Sequence, residues 1–146
     1  DNADFYTATD SLFLKFNSDF SELDPLFEIS PFSDVKLKDG ALYFVPNEEN
    51  KIIAKNLSDG ALINEFYLSS EPIDYEIFED YLYVLLSDTL LKISLETTEV
   101  TNYFEFQGVG KAFEIGNKQR IWALVNNDNH DFLFQMDLVN LFLTKF

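Results

Sequence analysis

The stretch Ile73-Asp74-Tyr75-Glu76-Ile77-Phe78-Glu79-Asp80-Tyr81-Leu82-Tyr83-Val84-Leu85-Leu86 decides the fold of this chain. Its first residues alternate apolar and acidic, the pattern of a strand with one face buried. Glu79-Asp80 then marks a tight turn, and Tyr81 to Leu86 runs on as an almost unbroken apolar strand. Aromatic and branched side chains favour such pleated surfaces. Together the two halves read as a β-hairpin whose second strand is buried on both faces.

The same layout occurs twice more. Asp34 to Lys38 alternates, turns at Asp39-Gly40 and continues through Ala41-Leu42-Tyr43-Phe44-Val45. Lys111 to Ile115 alternates, turns through Gly116-Asn117-Lys118-Gln119 and continues through Arg120-Ile121-Trp122-Ala123-Leu124-Val125. The matching positions Leu42, Leu82 and Ile121 are 40 and 39 residues apart. A polar turn and a second hairpin follow each time. The third strands are Lys51 to Leu57, Thr89 to Leu95 and Asp131 to Leu138; the fourth are Ala61 to Leu68, Val100 to Phe106 and Leu141 to Phe146. Asp39-Gly40 and Asp59-Gly60 are the clearest turn marks, because glycine accepts the positive φ such turns require. The N-terminal stretch fits an incomplete copy: Leu12 lies 40 residues before Ile52 and Phe27 lies 39 before Phe66. Asp4 to Thr7 reads there as the remnant of a second strand.

Self-similarity at this period, with four antiparallel strands per copy, is the signature of propeller blades. The predicted fold is therefore all-β, a partial β-propeller of about three and a half four-stranded antiparallel blades. The predicted divisions are 1–33 for the incomplete blade, then 34–72, 73–109 and 110–146. Helix is a poor competitor, since no segment holds a 3.6-residue apolar period for three turns; only Leu23 to Phe27 and Asp137 to Phe142 are ambiguous. An up-and-down barrel and a small stand-alone sheet protein are the rival β readings.

The third-strand segments Lys51-Ile52-Ile53-Ala54-Lys55-Asn56-Leu57-Ser58-Asp59-Gly60 and Leu90-Leu91-Lys92-Ile93-Ser94-Leu95-Glu96-Thr97-Thr98, with Asp137-Leu138 in the last copy, resemble the blade motifs of WD40-like and quinoprotein-like propellers. The chain carries neither the Gly-His nor the Trp-Asp dipeptide of standard WD40 repeats, nor the tryptophan docking motif of quinoprotein dehydrogenases. The expectation is thus of a propeller without a bound cofactor. An open run of blades leaves apolar blade faces wet, so further blades, from the same protein, a second chain or a second copy, are expected to complete it.

Composition limits the partners. The 146 residues hold 26 acidic and 10 basic side chains, a formal charge of −16. That field repels phosphate backbones and anionic membranes, and it attracts a basic protein. There are no cysteines, which removes disulfides, thiolate metal sites and thiol nucleophiles and fits an intracellular, cytoplasmic or nuclear setting. The chain opens on Asp1 rather than methionine, as at a processed boundary, and no run of apolar residues is long enough to span a membrane.

Chemistry-bearing residues are sparse. His130 is the only histidine and stands in Asn126-Asn127-Asp128-Asn129-His130-Asp131, which reads first as a hairpin turn. Asn127, Asn129 and Asp131 echo the alternate ligand spacing of calcium loops, but no glycine occupies the sixth position and Leu138 stands at the twelfth. Glu48, Glu49, Glu76, Glu79, Asp80 and Glu96 read as solvated strand and turn residues. The sequon Asn56-Leu57-Ser58 is present. No catalytic, cofactor-binding or metal-binding residue is assigned. The expected function is a non-catalytic interaction or scaffolding subunit that binds a protein partner, with Tyr6, Phe32, Tyr67 and Tyr103 as candidate anchors. The alternative is a fragment of a propeller enzyme or a carbohydrate-binding lectin whose active residues lie in other blades.

Overall fold

A computed structural model describes residues 6–9, 11–16, 21–116 and 120–138, and these contain strands and turns but no helix. The chain groups into two compact units, Asp1–Leu68 and Ser69–Phe146.

The first unit holds two antiparallel sheets. Strands β1 (Tyr6–Ala8), β2 (Leu12–Phe16) and β3 (Leu23–Glu28) form a three-stranded sheet in sequence order. Strands β4 (Phe32–Lys38), β5 (Ala41–Pro46), β6 (Lys51–Asn56) and β7 (Leu62–Tyr67) form a four-stranded one, also in order. Such meanders follow from short loops that leave an antiparallel neighbour as the only reachable partner. Asp39 and Gly40 both take positive φ (48° and 76°) between the paired residues Lys38 and Ala41, as a type I′ hairpin requires. The segment 23–27, ambiguous between helix and strand in sequence, lies in β3. Phe13, Ile29, Leu42, Phe44 and Ile53 form the core that joins the two sheets. Phe13 stacks between Tyr6 and Phe27, with centroids 5.6 and 5.5 Å away. Lys55 Nζ also donates to the Glu28 carbonyl at 3.1 Å. Gly60 (φ 70°) lies so close to Phe27 that a Cβ there would come within 2.6 Å of its ring. Turn conformation and packing thus both select glycine.

The second unit repeats the plan. Strands β8 (Asp74–Phe78), β9 (Tyr81–Leu85), β10 (Thr89–Ser94) and β11 (Val100–Glu105) form a four-stranded sheet; β12 (Val109–Gly116), β13 (Arg120–Asn127) and β14 (His130–Asp137) form a three-stranded one. The fourth strand expected at Leu141 to Phe146 lies outside the described residues, as do Asp4 and Phe5 of the expected N-terminal strand and the turn at 117–119. Tyr83, Leu85, Leu90, Phe113, Ile121 and Val125 lead the core between these sheets. Polar ties add direction: the Phe113 N–H donates to Asp74 Oδ2 at 3.1 Å, and the Gly110 N–H donates to the Ser87 carbonyl at 2.7 Å. β12 begins two residues earlier than the sequence indicates and carries a bulge between Gly110 and Ala112. Gly108 and Gly110 let the chain pass close to Asn126 and Leu85.

The apolar runs do not all behave alike. Every residue of β5 is buried, and so is Leu82 to Leu85 of β9, so neither strand shows a face to solvent. β13 alternates instead. Ile121, Ala123 and Val125 are buried against the β8–β11 sheet, while Trp122 on the opposite face is 37% exposed. The expectation that Ile121 to Val125 would be buried on both sides therefore holds fully for one side only, since Trp122 and Leu124 on the other are only partly buried.

Candidate functional site

The four aromatic anchors predicted from sequence occupy two kinds of place. Tyr6 and Phe32 are half-buried and pack around the core of the first unit. Tyr67 and Tyr103 are 73% and 59% exposed, each on the outermost strand of a four-stranded sheet. Tyr67 is held in place. Its hydroxyl donates to Glu65 Oε2 at 2.8 Å, and Lys51 Nζ lies 3.0 Å from Glu65 Oε1, 2.9 Å from Glu49 Oε2 and 5.9 Å from the tyrosine ring. The hydrogen bonds from Lys51 and then Tyr67 hold the Glu65 carboxyl below its ordinary value, and those to Glu49 and Glu65 raise Lys51. The pairs are solvated, so their role is to fix a rotamer rather than to stabilise the fold. On β11 the Asn102 side chain accepts the Tyr103 N–H at 2.9 Å.

The loop around His130 is tighter than its sequence indicates. Asn126 and Asn127 end β13, His130 opens β14, and only Asp128 and Asn129 form the turn, with φ of 51° and 63°. Asx residues tolerate this left-handed conformation, so a two-residue hairpin forms without glycine. Asp131 Oδ1 accepts the Asn126 side-chain amide at 2.7 Å, and His130 Nδ1 lies 2.9 Å from the Asp128 carbonyl. Among the described residues no group of three or more His, Asp or Glu is placed to hold a metal ion.

Wet blade faces were expected from the sequence, but their residues were not named there. On β12–β14, Trp122 pairs with Glu114 and Gln135, and Leu124 pairs with Ala112 and Leu133. These side chains share the face turned away from the core, where Leu133 is 64% exposed. On β1–β3, Leu14 pairs with Thr7 and Pro25, and Phe16 pairs with Leu23, which is 46% exposed; this face too points away from its core. The available signal was positional. Both belong to the first and last copies of the repeat.

A cavity of about 600 Å³ opens in the first unit among Tyr6, Lys15, Leu26, Asp39, Asn56 and Ser58. Asn56 Oδ1 is already engaged there, accepting both the N–H and the hydroxyl of Ser58 at 2.8 Å. In the second unit, Phe104, Phe106 and Phe134 line an aromatic hollow of about 250 Å³.

Buried ionisable groups sit beneath the surface of the second unit. Lys92 is buried with Nζ 4.0 Å from the Tyr81 ring centroid. Burial lowers its pKa, with Glu79 and Asp137 partly offsetting this. The Tyr83 hydroxyl donates to the Leu138 carbonyl at 3.3 Å. Burial first and the charge of Glu79 second push Tyr83 well above the usual 10.0. Between that ordinary value and its raised folded value, Tyr83 ionises in the unfolded chain but stays protonated in the fold. The folded state then holds more protons, and stability falls as pH rises through this window. Tyr83→Phe should cost about 1 kcal/mol at neutral pH through the lost hydrogen bond, and should make the decline above pH 10 shallower. Urea unfolding across that range measures both; an unchanged slope would count against Tyr83 as its source.

No family model matches the chain, and no curated protein sequence does. Solved structures match throughout its length. A structure of dihydro-heme d1 dehydrogenase NirN in complex with DHE matches with a TM-score of 0.79 at 14% identity, covering 99% of this chain and 34% of that one. A chain in the S. cerevisiae structure of Dbp5 bound to Nup159, Gle1, IP6 and ADP matches with a TM-score of 0.71 at 13% identity, covering 94% and 43%. The β-propeller domain of Myceliophteria thermophila Cps50 (Swd1) matches with a TM-score of 0.64 at 10% identity, covering 79% and 38%. The chain thus spans less than half the length of the chains it matches. At these identities the likeness establishes the fold alone: an all-β, partial β-propeller.

Proposed function

We propose that this chain is a non-catalytic part of a propeller that presents a rigid surface to a protein partner. The observation that carries the reading is Tyr67, a large aromatic side chain left exposed yet pinned by Glu65 and Lys51 on an outermost strand. A preordered aromatic loses little entropy on binding, which is why such residues dominate protein interfaces. Tyr103 offers a second exposed aromatic on an outermost strand. The largely buried strands β5 and β9 in the same sheets give stiff supports. The charge of −16 favours a basic partner and speeds its encounter. One matched structure contains Dbp5 bound to Nup159 and Gle1, in keeping with a propeller fold used in a protein assembly.

The test is affinity capture from cell extract with the chain as bait and quantitative mass spectrometry as readout. One stoichiometric protein is expected, and Tyr67→Ala with Tyr103→Ala should lower its recovery at least tenfold, about 1.4 kcal/mol or more. Capture unaffected by both substitutions would remove these anchors from the reading. If a panel of glycans or small molecules shifts the melting temperature instead and no protein is retained, the reading gives way to the enzyme or lectin alternative.

A further inference from the structure

The turn between β6 and β7 has a twin in the second unit, and the two differ in side chains that the fold does not need. The same backbone hydrogen bonds close both. In the first, the Asn56 N–H donates to the Ala61 carbonyl at 2.8 Å and the Gly60 N–H to the Asn56 carbonyl at 2.9 Å. In the turn between β10 and β11, the Ser94 N–H donates to the Glu99 carbonyl and the Thr98 N–H to the Ser94 carbonyl, both at 3.0 Å. Each is also tied to the first hairpin turn of its own sheet, the Leu57 N–H to the Gly40 carbonyl and the Leu95 N–H to the Asp80 carbonyl. Gly60 and Thr98 take similar positive φ, 70° and 60°. Asn56 therefore corresponds to Ser94, and Ser58 to Glu96. All that the turn asks of the first side chain is an accepting oxygen: Ser94 Oγ accepts the Thr97 N–H at 3.2 Å, and Asn56 Oδ1 accepts the Ser58 N–H at 2.8 Å. Neither an amide at the first position nor a hydroxyl two residues on is required to fold it.

The amide and the hydroxyl are nevertheless joined. The Ser58 hydroxyl donates to Asn56 Oδ1 at 2.8 Å, while Asn56 Nδ2 has no hydrogen-bond partner among the described residues. Half-buried Asn56 lines the open cavity of about 600 Å³, and Ser58, Asp59 and Ala61 of its turn are exposed. Asn56-Leu57-Ser58 is the acceptor pattern for N-linked sugars, with no proline between. We propose that Asn56 is a glycosylation site, taking an N-linked glycan from a lipid-linked oligosaccharyl pyrophosphate in a secretory compartment. In that step Nδ2 bonds to the anomeric carbon and the bond from that carbon to the pyrophosphate oxygen breaks. The pyrophosphate leaves with the electron pair, and Nδ2 gives up one proton to a base on the glycosyltransferase. An amide nitrogen is a poor nucleophile because its lone pair is shared with the carbonyl. A hydroxyl held on Oδ1 stabilises the negative charge that gathers there as Nδ2 loses its proton. The proposal departs from the intracellular setting expected from the lack of cysteines. It is independent of the anchor reading: β6 runs from Lys51, which pairs with Tyr67, to Asn56, so roughly 16 Å of strand separates the two sites.

The direct test is the peptide that contains Asn56, taken from the protein as its native cells make it. Peptide N-glycosidase in heavy-oxygen water should return Asn56 as labelled aspartate, read by mass spectrometry. Recovery of Asn56 entirely as unmodified asparagine would overturn the proposal. Secreted from eukaryotic cells behind an added leader, the chain should run on a gel as a heavier species that the same enzyme collapses. Asn56→Asp keeps an oxygen for the Ser58 N–H, so it should retain the parent's circular dichroism while losing the whole shift. Ser58→Ala should lose the shift too, and Ser58→Thr should keep it. A heavier species that survives Asn56→Asp or Ser58→Ala would overturn the assignment. Tyr67→Ala should leave the glycan in place, and Asn56→Asp should leave partner capture unchanged, so glycosylation and the anchor reading can fail independently.

Discussion

Gly108→Ala is expected to destabilise the second unit by roughly 2 to 4 kcal/mol. Gly108 has φ 150° at the crossing from β11 to β12, a conformation that L side chains rarely adopt. A Cβ built there would stand 2.5 Å from the Asn126 carbonyl oxygen and 2.9 Å from Val125 Cγ1. Backbone that is itself paired in a ladder cannot swing aside as a side-chain tip can, and Asn126 is held by Val109 on one side and Asp131 on the other. The crossing is fixed too, since the Phe106 N–H donates to Asp88 and the Gly110 N–H to Ser87, both at 2.7 Å. The added methyl therefore meets strain and overlap together. Urea unfolding should show a lower midpoint with an unchanged slope. A loss below about 0.5 kcal/mol would mean that the crossing relaxes, contrary to this account.

Phe44→Ala should cost the first unit about 3 to 5 kcal/mol. Phe44 is fully buried, lies opposite Val35 and Ile53 in its sheet, and packs in the cluster that holds β1–β3 onto β4–β7. Removing the ring forfeits its transfer from water and leaves a void that paired strands on both sides cannot close. Phe44→Leu keeps most of the volume and should cost less than half as much. Hydrogen exchange should show the loss in β1–β3 amides as well as in β5, because the small sheet leans on this cluster. Exchange confined to β5 would show that the two sheets are less dependent on each other than their shared core implies.

The strands were legible because their pattern is local. Alternation in 34–38 and 74–77, the Asp39-Gly40 turn and the 39- to 40-residue spacing of Leu42, Leu82 and Ile121 all reflect a two-residue pleat and short loops, which neighbouring residues fix without help from the rest of the fold. Where backbone geometry departs from the pattern, the reading was off. The bulge between Gly110 and Ala112 disguised the start of β12, and the hairpin turn read around His130 closes with only Asp128 and Asn129.

The candidate surface was less legible. Tyr6, Phe32, Tyr67 and Tyr103 look alike in a sequence, yet two pack around a core and two stand in solvent. The difference lies in what the next sheet covers, and that partner is far away along the chain. The sequence by itself determined the all-β class, the order of the strands and the blade-like repeat, since periodicity and turn chemistry are short-range. Only the tertiary structure decided that β5 and Leu82 to Leu85 of β9 are buried throughout while Trp122 on β13 is partly exposed. Burial belongs to a pair of surfaces, and an apolar residue carries no mark of whether its partner is present.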